Sequence, residues 1–229
     1  MPLLELRQVT KSYREPAGLQ TVSVLRGVNL TLNAGESVAI VGPSGCGKST
    51  LLNVLGTLDD PDSGEMLFDG DSLKGASAEK LAALRSEKIG FIFQLHHLLP
   101  QCSTIENVLL PTLALKKKPD MTATRKRASD LLGAVGLGER LDWRPGQLSG
   151  GERQRVAFVR ALINNPKMIL ADEPTGALDE QNSQTLTDLL LALVEKFGIA
   201  LVLVSHNPQQ AQRMKRVLRL HDGNLSTFN

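Results

Sequence analysis

Cysteine is scarce in this chain of 229 residues, where Cys46 and Cys102 stand apart with no CxxC pair. That excludes a disulfide framework and a thiolate zinc site, and it fits a reducing compartment. Aromatic residues make up only 3%, with one Trp and one Tyr. No stretch approaches the roughly 18 apolar residues that read as a membrane span. The start, Met1 to Arg7, has neither the basic beginning nor the long apolar run of a signal peptide. A net charge of +2 is too mild to argue for nucleic acid as a partner. There is no internal repeat and no low-complexity stretch. What remains is 41% hydrophobic and 22% charged, ordinary for a globular protein with one sizeable core. The expectation is a cytosolic chain that reaches any membrane through a partner.

The apolar rhythm changes along the sequence. Leu3 to Val9 and Val28 to Leu32 alternate like half-buried strands, with a loop containing Glu15 to Gly18 between them. Ser37 to Val41, Lys167 to Ala171 and Ile199 to Val204 are short continuous apolar runs, which suit buried parallel strands. Glu65 to Phe68 and Ile89 to Phe93 are further strand candidates. Lys48 to Leu58 reads as a helix, and residues 94–165 read as helical, with Thr122 as an N-cap and Ala128, Leu131, Leu132 and Val135 on one face. Leu186, Leu189, Leu190, Leu193 and Val194 mark the apolar face of another helix. Strands alternating with helices imply a mostly parallel sheet carrying a helical insert, an α/β architecture.

Two segments carry chemistry. Gly42, Pro43, Ser44, Gly45, Cys46, Gly47, Lys48, Ser49 and Thr50 fit the pattern G-x-x-x-x-G-K-[ST], between a strand and a helix as a phosphate loop requires. Backbone N–H groups at a helix start are ready donors for oligophosphate, and the glycines let the loop curl so that those donors point inward. Lys48 offers a point charge to the β- and γ-phosphates, Ser49 a hydroxyl to Mg²⁺, and Thr50 a further phosphate contact. Met168 to Ala171 then deliver Asp172 and Glu173 to the carboxyl end of a buried strand, where open α/β sheets bind ligands. Asp172 is placed to orient the Mg²⁺ shell and Glu173 to polarise a water aimed at the γ-phosphate. No Asn-Lys-x-Asp base-reading motif occurs, so ATP rather than GTP is the expected nucleotide.

The second segment, Leu148-Ser-Gly-Gly-Glu-Arg-Gln154, resembles the signature of the ATP-binding cassette (ABC) superfamily. On its own chemistry, Ser149, Gly150 and Gly151 open a helix running through Arg153 to Ile163 and form a second helix start suited to phosphate. The resemblance covers essentially the whole chain, as one domain of residues 1–229. It implies a P-loop core (1–93 and 166–229) with an antiparallel N-terminal β subdomain and a helical subdomain at about 94–165. It also implies roles for further residues: Tyr13 stacking on adenine, Gln94 contacting Mg²⁺ and the attacking water, and Ala177 to Asp179 crossing a dimer interface. His206 would be the switch residue that reaches the γ-phosphate. The family arrangement is a head-to-tail homodimer with two ATPs buried between subunits, each read by the partner's Ser149 segment.

A narrower resemblance follows Gln94. Gln94-Leu-His-His-Leu-Leu-Pro100, Thr104 to Val108 and Lys116 to Pro119 look like the LolD, MacB and FtsE group of ABC ATPases, and most like its lipoprotein-release branch. This implies an ATPase on the cytoplasmic side of a bacterial inner membrane, docked on permease subunits through the region Gln94 to Pro100. Cell-wall regulation of the FtsE kind and efflux of the MacB kind are the alternatives. His96 and His97 read either as part of that docking groove or as a polar pair beside Leu98 and Leu99. Lys116 to Lys118 read as a solvated face, and Trp143 as packing beneath the loop before the signature.

Overall fold

The computed structural model describes residues 1–14, 21–176 and 178–228. The expected loop at Glu15 to Gly18, and Ala177, lie outside the described residues. In chain order the strands are β1 (Leu4–Arg14), β2 (Thr21–Leu32), β3 (Ser37–Val41), β4 (Ser63–Phe68), β5 (Asp71–Ser72), β6 (Ile89–Ile92), β7 (Met168–Asp172), β8 (Ala200–Val204), β9 (Arg216–His221) and β10 (Asn224–Thr227). The helices are α1 (Lys48–Leu55), α2 (Ala78–Lys88), α3 (Thr104–Leu109), α4 (Met121–Ala134), α5 (Gly150–Leu162), α6 (Glu180–Phe197) and α7 (Pro208–Ala211).

The chain forms two units, Met1–Leu81 with Ala200–Asn229, and Ala82–Ile199. In the first, β2, β1, β4 and β5 make an antiparallel sheet in that order. β1 and β2 are longer than their alternation predicts. Register shifts at Leu6/Val9, Val9/Thr10 and Lys11/Ser12 turn the strand, so the in–out pattern breaks while the pairing continues to Arg14↔Thr21. The same unit holds the run β10-β9-β3-β8, with β3 parallel to both β8 and β9. β3 and β8 are buried along nearly their whole length, as their continuous apolar character requires.

In the second unit β6 lies parallel to β7, with Ile92 opposite Ala171. The helical segment expected at about 94–165 lies within this unit, together with β6, β7 and α6. Residues 93–103 are not helical. Buried Asn107 holds them: its Oδ1 accepts from the Leu99 amide at 2.8 Å, and its Nδ2 donates to the carbonyls of Leu99, Cys102 and Ser103. α4 is capped by Asp120 rather than by Thr122, because the Asp120 carboxylate accepts from the Thr122 and Ala123 amides and starts the helix two residues earlier. α6 buries Leu186, Leu190, Leu193 and Val194 as its periodicity demands, while Leu189 is half-buried; the helix ends at Gly198 with φ 62°.

Candidate active site

In the first unit β3 ends at Val41 and the chain curls through Gly42 to Gly47 into α1. A Cβ at Gly42 would stand 2.3 Å from the Leu220 carbonyl oxygen, and one at Gly47 would stand 2.6 Å from Val24 Cγ1 with φ at 101°. Both positions therefore need glycine, one for space and one for handedness as well. Lys48 is 9% exposed, and its Nζ folds back to donate to the carbonyls of Gly42 (3.0 Å) and Pro43 (2.8 Å). The ammonium thus braces the loop whose amides would receive phosphate. Ser49 is exposed, and Cys46 is half-buried within the loop.

Tyr13 sits on β1, 40% exposed, with its hydroxyl donating to Asp59 Oδ2 at 2.6 Å. Lys11 Nζ binds the other oxygen of Asp59 at 2.5 Å and lies 5.3 Å from the Tyr13 ring centre. Burial alone would raise the Asp59 carboxyl, but hydrogen bonds from Lys11 and Tyr13 outweigh it and hold it below the ordinary carboxylate value. Burial, then the bond to Asp59, pushes the Tyr13 phenol up. The only tyrosine of the chain is therefore fixed at its tip and open along its ring. His206 follows β8 on an exposed turn. Buried Ser205 anchors that turn, donating to Gln210 Oε1 at 2.9 Å and accepting from the Asn207 amide at 3.0 Å.

In the second unit the parallel register carries Gln94 and Glu173 out of the same carboxyl end of β6 and β7. The Gln94 amide nitrogen lies 2.9 Å from where a Cβ at Gly176 would stand, so the side chain covers the turn after Glu173. Glu173 is held at φ 46°, a conformation that costs a residue with a Cβ about 1–3 kcal/mol. Such strain persists only where surroundings impose it, here the Gly176 amide bonded to the Glu173 carbonyl at 3.0 Å. Asp172 and Glu173 are both half-buried.

Ser149 caps α5 through a reciprocal pair: its hydroxyl accepts from the Glu152 amide at 3.2 Å, and Glu152 Oε2 accepts from the Ser149 amide at 2.7 Å. The bond from the Ser149 amide is the main cause that holds the Glu152 carboxyl low. Arg140 lies 3.9 Å from Glu152 and stacks at 3.6 Å over Trp143, which is half-buried before the signature as expected. Leu178 and Asn182 each approach within 3.8 Å of Cβ positions at Gly150 and Gly151, so the signature and the segment around Asp179 are neighbours. Asp179 caps α6 by accepting from the Asn182 amide at 2.9 Å, the main cause of its lowered carboxyl pKa.

Tyr13, Gly42 to Thr50 and His206 thus belong to the first unit, and Gln94, Ser149 to Gly151, Asp172, Glu173 and Asp179 to the second. Among the described residues no group of three or more His, Cys, Asp or Glu could hold a metal ion. The expected Mg²⁺ set of Ser49, Gln94 and Asp172 is one hydroxyl, one amide and one carboxylate. Such a set suits an ion that arrives on a triphosphate better than a resident one. Sequence reading missed Asp59 and Lys11 beneath Tyr13, and Arg153, Gln154 and Arg160 around the Gln94 segment. The last three are buried-facing polar residues of α5, legible only once the loop they hold is in place.

The model of the ABC transporter family matches residues 25–176. The lipoprotein-releasing system ATP-binding protein LolD of Roseobacter denitrificans is 49% identical over 98% of this chain and 98% of its own. LolD of Shewanella frigidimarina is 49% identical over 96% of this chain and 91% of its own. Among solved structures, the dimeric post-hydrolysis state of the ATP-binding cassette MJ0796 bound to ADP and Pi superposes with a TM-score of 0.88, at 39% identity over 99% of both chains. CbiO1 of Clostridium perfringens, part of the transporter complex cbiONQ, superposes at 0.84 with 27% identity over 98% of this chain and 87% of its own. A phosphate loop, paired acidic residues at a strand end and a capped Ser-Gly-Gly helix start, with these likenesses, place the chain in the ABC transporter family as one of its ATP-hydrolysing cassettes.

Proposed function

We propose that this cassette powers a lipoprotein-releasing system from the cytoplasmic face of a bacterial inner membrane. The observation that carries this reading is the 49% identity to the LolD proteins over nearly the full length of both chains. Among the described residues no helix is long and apolar enough to cross a membrane, and in this reading the cassette works through membrane partners. A groove of about 470 Å³ in the second unit, lined by Phe91, Phe93, Pro111, Ala114 and Arg160 among others, offers a permease segment an apolar seat beside Gln94 to Pro100.

In this reading the amides of Gly42 to Gly47 receive the ATP phosphates, and Lys48 turns from the loop carbonyls to the β- and γ-oxygens. Tyr13 stacks on the adenine. When bound, Mg²⁺ supplies charge neutralisation on the phosphate oxygens, with Ser49, Gln94 and Asp172 as its protein contacts. Glu173 takes the proton of the attacking water as that oxygen bonds to the γ-phosphorus and the bond to the ADP oxygen breaks. A positioned base is worth about 10²- to 10⁴-fold in rate. His206 contacts the γ-phosphate and reports its loss. Ser149, Gly150 and Gly151 serve the ATP held by a second copy, which gives a head-to-tail dimer closed by ATP and opened by hydrolysis. The dimeric form of the similar cassette MJ0796 supports this assembly.

The test is to purify tagged Glu173→Gln protein with Mg-ATP from detergent-solubilised membranes and identify its companions by mass spectrometry. Permease subunits carrying trapped lipoprotein are the expected result. An FtsX-like permease with cell-wall hydrolase factors would move the reading to division, and the absence of any membrane protein would overturn it.

A further inference from the structure

The loop after Gln94 is fastened to the signature helix by side chains of α5 at three points. Gln154, 3% exposed, donates to the Phe93 carbonyl at 3.0 Å. Arg160 donates to the carbonyls of His96 and His97, both at 2.7 Å. These two hold backbone, and side chains with similar donors would do the same. The third contact is of another kind. Arg153 Nε donates to His96 Nε2 at 2.9 Å, while Nη1 of the same guanidinium donates to the Leu148 carbonyl at 2.6 Å and reaches Pro145 at 3.4 Å. One planar cation therefore grips the residue before Ser149 with one edge and the residue two beyond Gln94 with the other.

The histidine is there for this bond rather than for packing. Accepting at Nε2 leaves the proton on Nδ1, which is buried and has no hydrogen-bond partner among the described residues. A buried donor without a partner is costly, and an apolar side chain of similar size would fill the space without it. What the ring contributes is the acceptor for Arg153. His97, next along, faces solvent and packs edge-on against Phe93 at 5.4 Å.

We infer that Arg153 is a positioning residue that acts through His96 to make the Gln94 loop and the Ser149 helix start one mechanical piece. The inference rests on the roles proposed above for Gln94 and Ser149. Loss of γ-phosphate felt at Gln94 in one nucleotide site is then carried, within the same chain, to the Ser149 surface that serves the other. The rigid planarity of the guanidinium is what makes the link directional; an ammonium could reach one partner or the other but would not fix their angle.

The test is a double-mutant cycle on the full chain, measuring ATP turnover at saturating Mg-ATP and ATP affinity of the single chain. His96→Ala and Arg153→Ala are each expected to lower kcat about tenfold, equivalent to roughly 1.4 kcal/mol of barrier, with ATP affinity changed less than about twofold. The double variant should be no slower than the worse single one, and His96→Gln, whose Oε1 can accept from Arg153, should recover most of the loss. Unchanged kcat in the alanine variants, losses that multiply in the double variant, or a glutamine as slow as the alanine would each overturn the inference. Gln94→Ala and Ser149→Arg run alongside. If those two leave turnover intact, the roles assigned to Gln94 and Ser149 fail, and the coupling fails with them. If only the His96 and Arg153 variants are silent, the coupling alone fails.

Discussion

At the scale of the residue, the site is a set of side chains held under tension or in pairs. Glu173, at φ 46°, is the clearest case, because nothing in its own chemistry favours that backbone. Glu173→Gln keeps size and contacts while removing the proposed base, so hydrolysis should fall by about 10²-fold or more while ATP-driven dimerisation persists. Steady-state phosphate release and light scattering on the same preparation check both halves. Asp59 is a second case. Its carboxyl is held below the ordinary value, so its pairing with Lys11 and Tyr13 contributes stability above the unfolded-state pKa and loses it as the pH falls through the lowered folded-state pKa. Asp59→Asn should therefore cost about 1.5–3 kcal/mol near neutrality. The gap to wild type should close at the acid end of a thermal-unfolding series. The placement of Glu173 at the end of a buried strand was legible from the apolar run before it, whereas Tyr13 was singled out only by the family resemblance. Asp59 was not legible, since it lies 46 positions along the chain from Tyr13 and only the pairing of β1 with β4 brings the two together.

At the scale of the element, continuous apolar runs announced β3, β7 and β8, and their buried faces follow from that. What was illegible has physical reasons. The bulges in β1 break the period-2 rhythm at Val9, so the strand outlasts its signal. α2 buries no residue and so writes no apolar face into the sequence. The 93–103 loop is shaped by one buried amide, Asn107, whose four bonds no periodicity reveals. The phosphate loop was fully legible because its glycines answer steric needs. Gly47→Ala would place a Cβ 2.6 Å from Val24 Cγ1 at a φ of 101°. It should cost about 1–3 kcal/mol of stability and abolish binding of a fluorescent ATP analogue; retained binding at wild-type affinity would contradict the steric argument.

At the scale of the whole molecule, two helix starts proposed to face nucleotide, one at Gly42 to Thr50 and one at Ser149 to Gly151, lie in separate units. A single ATP does not need two helix starts, and in the proposed dimer the second copy's ATP would occupy the other. The groove lined by Phe93 and Arg160, which Arg160 ties to the His96 carbonyl, lies on the same unit as Gln94 and Glu173, so the proposed permease seat and the proposed hydrolytic residues share one unit.

The most direct measurement reconstitutes the protein with its copurified permease partners in vesicles bearing a lipoprotein, and follows lipoprotein appearing in the supernatant. Release should require Mg-ATP and disappear with Glu173→Gln. ATP turnover by the wild-type assembly without any lipoprotein release would contradict the proposed function.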